Sequence, residues 1–150
     1  MMPIFKTKQF QQLWHAKSEN RLPHALMLTG VKGTEKNAFA DHFSRALMCQ
    51  QVNLATGEPR DKCHSCRLVM GRAHSDVCWL QPEKEGGSIK VEQIRAIAEF
   101  IQQTSFEGGC RIVLITPADG MNTNAANALL KTIEEPSGGA YLILINDQVN

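Results

Sequence analysis

The stretch Asn122–Pro136, which reads NTNAANALLKTIEEP, decides the fold. Either Asn122 or Thr123 can accept a hydrogen bond from a free N–H group at the start of a helix, and Pro136 cannot continue one. Between them, apolar residues recur at the spacing of one helix face, namely Ala126, Leu129, Leu130 and Ile133. The stretch therefore predicts an amphipathic helix.

Two short apolar runs flank this helix, Arg111–Ile115 (RIVLI) before it and Tyr141–Ile145 (YLILI) after it. Neither run alternates between apolar and polar residues, which is typical of strands buried on both faces of a sheet. Similar runs occur at Ala25–Thr29 and Asp76–Leu80. Because such strands alternate with helical segments, we predict an α/β fold with a parallel sheet flanked by helices on both faces.

Four more helices are predicted, three of them from apolar residues at helical spacing, and one of these three carries Phe39, Phe43, Ala46 and Leu47 on one face. The first covers roughly Thr7–Lys17, with Trp14 as a packing anchor, and a short one covers Arg67–Arg72. Another begins at Val91 and ends near Gln103. These helices supply the layers that a parallel sheet needs.

Length and composition describe one ordinary globular domain of 150 residues, 43% hydrophobic and 21% charged. The net charge of +1 gives no basic footprint, which disfavours tight nucleic-acid binding by the chain alone. No apolar run reaches the length of a membrane span, and the N-terminus lacks the apolar core of a signal peptide. We therefore expect a cytoplasmic chain without a membrane partner, whose five cysteines are thiols or metal ligands.

A glycine-rich turn follows the predicted strand Ala25–Thr29, where a phosphate-binding loop of the pattern G-x-x-x-x-G-K-[ST] belongs. Glu35 replaces the second glycine of that pattern, and Asn37 replaces the hydroxyl residue that holds Mg²⁺. A carboxylate repels phosphate, and an amide is a poor substitute as a Mg²⁺ ligand. The turn is either a degenerate phosphate loop that holds at most an anion or a turn that binds nothing. Its candidate binding residues are Gly30, Gly33 and Lys36.

An ATPase of this architecture also needs an acidic pair at the end of a neighbouring strand, to organise Mg²⁺ and polarise water. Here the strand Arg111–Ile115 is followed by Thr116 and Pro117, and Asp119 comes three residues late. Two elements of a hydrolytic site are therefore missing. We expect no ATP hydrolysis and no catalytic residue.

Three cysteines lie in the polar segment after the glycine-rich turn and its helix: Cys49, and then Cys63 and Cys66 in a C-x-x-C pair. Two thiolates on one tight turn can share a tetrahedral zinc ion, and a structural site needs four ligands. The alternative is that the cysteines are simply reduced thiols. Candidates for a fourth ligand are His64, Asp61, His74 and Cys78, the last of which falls in a predicted strand.

Several segments in order resemble the delta-prime subunits of bacterial DNA polymerase III clamp loaders. They are RLPHALMLTG, CHSC, HSDVCWLQP, IKVEQIRAI, GGCRIVLITPAD and ANALLKTIEEP. The resemblance spans nearly the whole chain, and ANALLKTIEEP is typical of clamp-loader AAA+ domains as a group. The damaged nucleotide motifs distinguish delta-prime from the ATP-hydrolysing tau/gamma subunits, which keep both motifs intact.

The resemblance implies one AAA+ domain over residues 1–150, a RecA-like P-loop NTPase fold of three layers, with a zinc module inserted at about residues 49–72. It implies a non-catalytic structural role in the DNA polymerase III holoenzyme, in a complex that loads the sliding clamp onto primed DNA. The implied partners are the tau/gamma and delta subunits, with the clamp and primed DNA contacted through the complex. It also implies zinc on Cys49, Cys63 and Cys66, and no functional ATP or Mg²⁺.

Two departures from the family pattern limit these expectations. A fourth family cysteine falls on Arg60, which leaves the fourth zinc ligand uncertain, with His64 as a candidate. The family's last strand, its Ser-Arg-Cys motif, its helical lid and its collar are not found in these residues, so the isolated chain is expected to be a monomer.

Two other functions stay open from the sequence. One is an active P-loop ATPase of the tau/gamma type that tolerates Glu35 and Asn37, which the missing acidic pair disfavours. The other is a zinc-knuckle nucleic-acid-binding module. That reading is disfavoured because no aromatic residue lies between Cys49 and Cys66 for base stacking.

Overall fold

The computed structural model describes residues 4–30, 35–84, 87–102, 110–118, 121, 123–134 and 140–147. A short 3₁₀ helix, Ile4–Lys6, precedes the first α-helix. In chain order the further elements are α1 (Lys8–Ser18), β1 (Ala25–Gly30), α2 (Lys36–Met48), α3 (His64–Met70), β2 (Val77–Leu80), α4 (Val91–Gln102), β3 (Arg111–Ile115), α5 (Thr123–Glu134) and β4 (Ala140–Asp147). Each helix among the described residues is too short or too polar to serve as a transmembrane span.

The chain divides into two compact units. One comprises Met1–Pro23 and Glu35–His74, and contains α1, α2 and α3. The other comprises His24–Thr34 and Ser75–Asn150, and contains the four strands with α4 and α5. The expectation of a single AAA+ domain over residues 1–150 stays a prediction.

The four strands form one sheet in the order β1-β4-β3-β2, and every neighbouring pair is parallel. All five residues of β3 are buried, as its uninterrupted apolar sequence predicts for a central strand. The predicted α/β fold with a parallel sheet is therefore confirmed. β4 is longer than predicted, since its pairing with β1 continues to the register pair Gly30 and Asp147.

The helices α4 and α5 share a hydrophobic core with one face of the sheet. Val113 and Ile115 of β3 and Leu142 of β4 lie in this core with residues of both helices. The helix α5 contributes Ala125 and Leu129 to the core. The side chains of its other predicted apolar positions, and its flanking residues Asn122 and Pro136, lie outside the described residues.

The predicted strand Asp76–Leu80 is wrong at its first residue, because β2 begins at Val77. Asp76 is fully buried and pairs with Arg111, which is 5% exposed, with Oδ1 3.5 Å from Nη2. The Arg111 guanidinium also lies 4.6 Å from the centre of the Phe100 ring. Asp76 therefore neutralises a buried cation at the start of β3.

The unit that contains α1, α2 and α3 is called the helical unit below. It is centred on Phe10 of α1, which is fully buried. Its ring makes edge-to-face contacts with Phe39, His42 and Phe43 of α2, at centroid distances of 6.2, 5.4 and 5.6 Å. Such aromatic pairs add to the stabilisation that comes from burial alone. Trp14, one turn after Phe10, is 5% exposed, which confirms its predicted role as a packing anchor.

Two predicted helices begin at different residues in the structure, and a cap explains each. Thr7 is the N-cap of α1 rather than its first residue, and its Oγ1 accepts a hydrogen bond from the Phe10 N–H. The predicted helix Arg67–Arg72 is α3, which begins at His64 because Cys63 caps it. Arg72 lies beyond its end with a φ of 54°.

Candidate metal centre

Cys49, Cys63 and Cys66 come together in the helical unit, and we call them the cysteine cluster. Their sulfur atoms all lie within 4.8 Å of one another. The sulfurs of Cys49 and Cys63 are 3.8 Å apart. All three residues are buried, and none of the five cysteines of the chain forms a disulfide.

The ends of two helices position the cluster. Cys49 is the C-cap of α2, with an extended backbone that ends the helix. Cys63 is the N-cap of α3, and its sulfur accepts a hydrogen bond from the Cys66 N–H at 3.3 Å. Because Cys66 lies in the first turn of that helix, the C-x-x-C pair is formed by an ordinary helix start.

Residues 50–62 connect the two helix ends, and we call them the cysteine loop. Asn53 folds it: its Oδ1 accepts hydrogen bonds from the N–H groups of Ala55 at 3.0 Å and Thr56 at 3.2 Å. Its backbone carbonyl accepts from Gly57 at 2.7 Å, and its N–H donates to Glu58 at 3.0 Å. Asn favours such turns because its short side chain bonds to the backbone two residues on. The loop is therefore a closed turn.

The helix α1 holds this turn in place through two side chains. Gln11 Nε2 donates to the Thr56 carbonyl at 2.8 Å, and Trp14 Nε1 donates to the Leu54 carbonyl at 2.9 Å. Gly57 packs directly on the Trp14 ring, where a Cβ would lie only 2.6 Å from Cδ2. The cysteine loop is thus fixed to the core of its unit by contacts that involve no metal.

An arginine on α2 anchors the far end of the cysteine loop. Arg45 Nη1 lies 2.6 Å from Asp61 Oδ1, and its Nε lies 3.1 Å from Asp41 Oδ2. The Arg45 side chain is 15% exposed, so solvent screens these charges only partly. Arg45 lies one turn before Cys49. The C-terminal end of α2 therefore contacts the cysteine loop at two residues, through the Arg45 ion pair with Asp61 and through Cys49 Sγ. This network was not predicted from the sequence, although its signal was an aspartate, Asp61, near the end of a polar loop that follows a helix with an arginine.

Backbone N–H groups surround the sulfurs. Those of Gln51 and Arg60 each donate to Cys49 Sγ at 3.4 Å. Burial raises the pKa of the Cys63 thiol, but hydrogen bonds from the N–H groups of Cys66 and Gln50 and from the neighbouring thiols lower this pKa to about 7 overall. Burial, followed by the hydrogen bonds with Cys63 and Cys49, raises the pKa of Cys66. The backbone therefore favours a thiolate at Cys63, the form that binds metal.

One pair of sulfurs in the cluster has a separation typical of zinc ligands. Tetrahedral zinc–thiolate bonds of about 2.3 Å place neighbouring sulfurs about 3.8 Å apart. That is the separation of Cys49 Sγ and Cys63 Sγ. A divalent cation would bind the three cysteines as thiolates and release their protons, so the residues present fit the group.

None of the candidates for a fourth ligand joins the cluster among the described residues. Asp61 is engaged by Arg45, and Cys78 lies in β2 of the other unit. His64 is exposed at the first position of α3, and His74 is buried beyond its end. The structure therefore gathers three of the predicted ligands and leaves the fourth undefined.

The predicted phosphate loop is described only at its two ends. Gly30 is the last residue of β1, Lys36 is the first residue of α2, and Gly33 lies outside the described residues. Glu35 is the N-cap of α2 and makes no side-chain capping hydrogen bond. At the end of β3, Thr116 donates its N–H to the Leu80 carbonyl at 3.1 Å.

Comparison with known proteins places this chain. A family model described as DNA polymerase III, delta subunit, matches residues 5–150. This chain belongs to the DNA polymerase III delta-subunit family. The predicted membership is confirmed, because similar proteins within the family are delta-prime subunits.

Three such relatives carry the name DNA polymerase III subunit delta-prime. The protein of Pseudomonas aeruginosa is 42% identical over 83% of this chain and 38% of its own length. That of Bacillus subtilis is 35% identical over 91% of this chain and 40% of its own length. That of Escherichia coli K12 is 32% identical over 90% of this chain and 40% of its own length. The chain thus spans about two fifths of the relatives it matches.

A solved structure agrees with the fold. A DNA polymerase III gamma subunit-related protein of Thermotoga maritima has a TM-score of 0.58 to this chain and 20% sequence identity. The match covers 90% of this chain and 39% of that protein. At this identity the likeness concerns the fold alone.

Proposed function

We propose that this delta-prime family chain is a non-catalytic structural module of a clamp loader, the assembly that places a sliding clamp on primed DNA. Membership of the family carries the proposal. The module takes part through its neighbours, the tau/gamma and delta subunits, and contacts the clamp and primed DNA through the complex.

The local chemistry of the nucleotide motifs supports a non-catalytic role. A helix N-terminus attracts an anion, which is why a phosphate binds there in P-loop proteins. Glu35 puts a carboxylate at that position of α2, so the helix end already has a negative group beside it. With Thr116 and Pro117 after β3, no acidic pair is present to organise Mg²⁺ or polarise water.

ATP turnover by the purified chain tests this role. We expect no Mg²⁺-dependent hydrolysis above buffer, with a tau/gamma subunit as the positive control. The double variant Glu35→Gly/Asn37→Thr restores the glycine and the hydroxyl. It is expected to gain nucleotide binding without hydrolysis, because the acidic pair is still missing. Turnover by the unaltered chain would establish the active ATPase instead.

We further propose that the cysteine cluster holds a structural zinc ion through Cys49, Cys63 and Cys66. The support is the 3.8 Å sulfur separation, the burial of all three thiols and the N–H groups that face Cys49 and Cys63. Zinc would tie the end of α2 to the start of α3.

Elemental analysis of the purified chain tests the zinc site. About one zinc per chain is expected from a site with three thiolate ligands. Cys63→Ser should lose it. Cys78→Ser is the matched control, since Cys78 is a partly buried thiol of β2 outside the cluster, and it should keep the metal. Metal-free protein prepared without chelators would refute the zinc site and leave the structural role untouched.

Binding to partners is a separate test of the structural role. The chain mixed with tau/gamma and delta subunits should join their complex in size-exclusion chromatography, and should not retain single-stranded DNA on its own. Salt-dependent binding of single strands by the isolated chain would instead favour the nucleic-acid-binding module.

A further inference from the structure

We propose that the cysteine cluster is an open metal site, with three protein thiolates and a fourth coordination position that water fills and small thiols can enter. The inference rests on the zinc site proposed above. It goes beyond that site because it assigns the fourth position to an exchangeable donor from solution.

The ligand count is the first observation. Zinc takes four ligands, and structural sites supply all four from the protein, whereas sites with three protein ligands keep one position for an exchangeable group. Within the described part of the chain, only three donor atoms of Cys, His, Asp or Glu come within 4.8 Å of one another here. The cysteine loop and both helix ends belong to that part, so the immediate surroundings of the sulfurs are known.

A cavity at the cysteine loop is the second observation. Its volume is about 450 Å³, and its walls include Gln51, Arg60 and Asp61. The N–H groups of Gln51 and Arg60 donate to Cys49 Sγ at 3.4 Å. Two of the residues that line the cavity therefore also contact a sulfur of the cluster.

Charge determines which donors the position accepts. A zinc ion with three thiolates carries one net negative charge, which disfavours another anion unless cations lie nearby. Arg60 and Lys62 line the cavity, together with Glu58 and Asp61, and the Asp61 carboxylate is already paired with Arg45. The charges of the cavity wall are therefore compatible with a neutral donor or with a single small thiolate.

Residue 60 is the side chain best placed to close the site. It lies three residues before Cys63, the same interval that separates Cys63 from Cys66, and its own N–H contacts Cys49 Sγ. The Arg60 side chain is exposed, with Nε donating to the Gln51 carbonyl at 3.3 Å. A thiol at this position would supply the missing ligand.

Zinc K-edge X-ray absorption on the purified chain in thiol-free buffer measures the ligand set directly. We expect three sulfurs and one oxygen, with a fourth sulfur appearing when 2-mercaptoethanol is added. A fourth sulfur without added thiol overturns the inference, as does a spectrum that 2-mercaptoethanol leaves unchanged. His64→Ala should leave the spectrum as it is. Loss of a nitrogen ligand in that variant would make the site closed and also overturn the inference.

Chelator competition provides a second readout that does not depend on the spectrum. Changing even an outer-shell partner alters metal affinity about 10- to 100-fold, so Arg60→Cys should slow zinc removal at least about tenfold. Arg60→Ser is the matched control and should release zinc at the rate of the unaltered chain. Equal rates in all three proteins overturn the inference. Zinc absent from the unaltered chain overturns the zinc proposal itself.

Discussion

Replacing Gly57 with alanine tests whether the cysteine loop folds against α1 without help from metal. Gly57 has a φ of +77°, and a Cβ built on it would lie 2.6 Å from Trp14 Cδ2 and 2.9 Å from Phe10 Cε1. Both rings belong to the core of the helical unit, where Phe10 is fully buried and Trp14 is 5% exposed. Neither ring can move away without disturbing that core.

Two costs combine in Gly57→Ala. A left-handed backbone costs a residue with a Cβ about 1–2 kcal/mol. Overpacking a core adds about 1–3 kcal/mol. The sum is a loss of about 2–5 kcal/mol in the free energy of unfolding, which lowers Tm by about 4–20 °C for a chain of this size.

Urea denaturation followed by circular dichroism, in the presence of a chelator, measures this loss in the metal-free chain. Gly71→Ala is the matched control. Gly71 is the C-cap of α3 with a φ of −85°, and its Cβ would meet the Arg67 carbonyl at an ordinary 3.5 Å. That variant should change the stability by no more than about 0.5 kcal/mol. Equal stability of Gly57→Ala and Gly71→Ala would show that the cysteine loop does not pack on Trp14. It would contradict the claim that the loop is fixed to the core without metal.

Three further predictions concern the cores and the charges around them. Asp76→Asn should lower the free energy of unfolding by about 3–5 kcal/mol in urea, because it leaves the buried Arg111 without its counter-charge, and a loss below about 1 kcal/mol would contradict that role. Trp14→Phe should cost about 1 kcal/mol in the same assay, since it removes the donor to the Leu54 carbonyl while keeping an aromatic ring, and an unchanged urea midpoint would show that this bond contributes nothing. Burial, and then the nearby Arg45, lower the pKa of His42, so the unfolded chain binds a proton more readily and stability is lost as pH falls below about 6.5. The loss of stability below that pH should be smaller in His42→Gln, measured by urea denaturation across the pH range. Equal stability profiles in the two proteins would rule out His42 as the cause.

The sheet was predictable from the sequence because its signal is local. A run such as Arg111–Ile115 has no polar face, and only a strand covered on both sides buries it completely. The ends of the strands were less predictable. Asp76 was assigned to a strand although it is an ion-pair partner, since its role depends on Arg111, a residue far along the chain. Pairing with β1 likewise carries β4 on through Asn146 and Asp147, whose polar side chains gave no sign of a strand.

The cysteine cluster was predictable in its members but not in the contacts that support it. The C-x-x-C spacing identified Cys63 and Cys66 because one helix turn determines their separation. The contacts that bring Cys49 to them depend on tertiary structure, such as the ion pair of Arg45 with Asp61. The Asn53 turn had a visible signal, a turn-forming residue in a polar segment with Gly57 four residues later. No sequence signal indicated the two contacts of the Trp14 indole with the loop, at the Leu54 carbonyl and at Gly57.

The same support gives a physical reason why the cysteine cluster can form with Arg60, and not a further ligand, three residues before Cys63. In small zinc domains the metal supplies most of the folding free energy, so the loss of a ligand unfolds them. Here Asn53 closes the cysteine loop, Trp14 holds its middle and Arg45 holds its far end, all through contacts that involve no metal. The zinc ion that we propose would bind sulfurs of which two are already 3.8 Å apart, and its binding energy would add to these contacts. A site supported in this way could keep its geometry with three protein ligands, as the proposed open site requires.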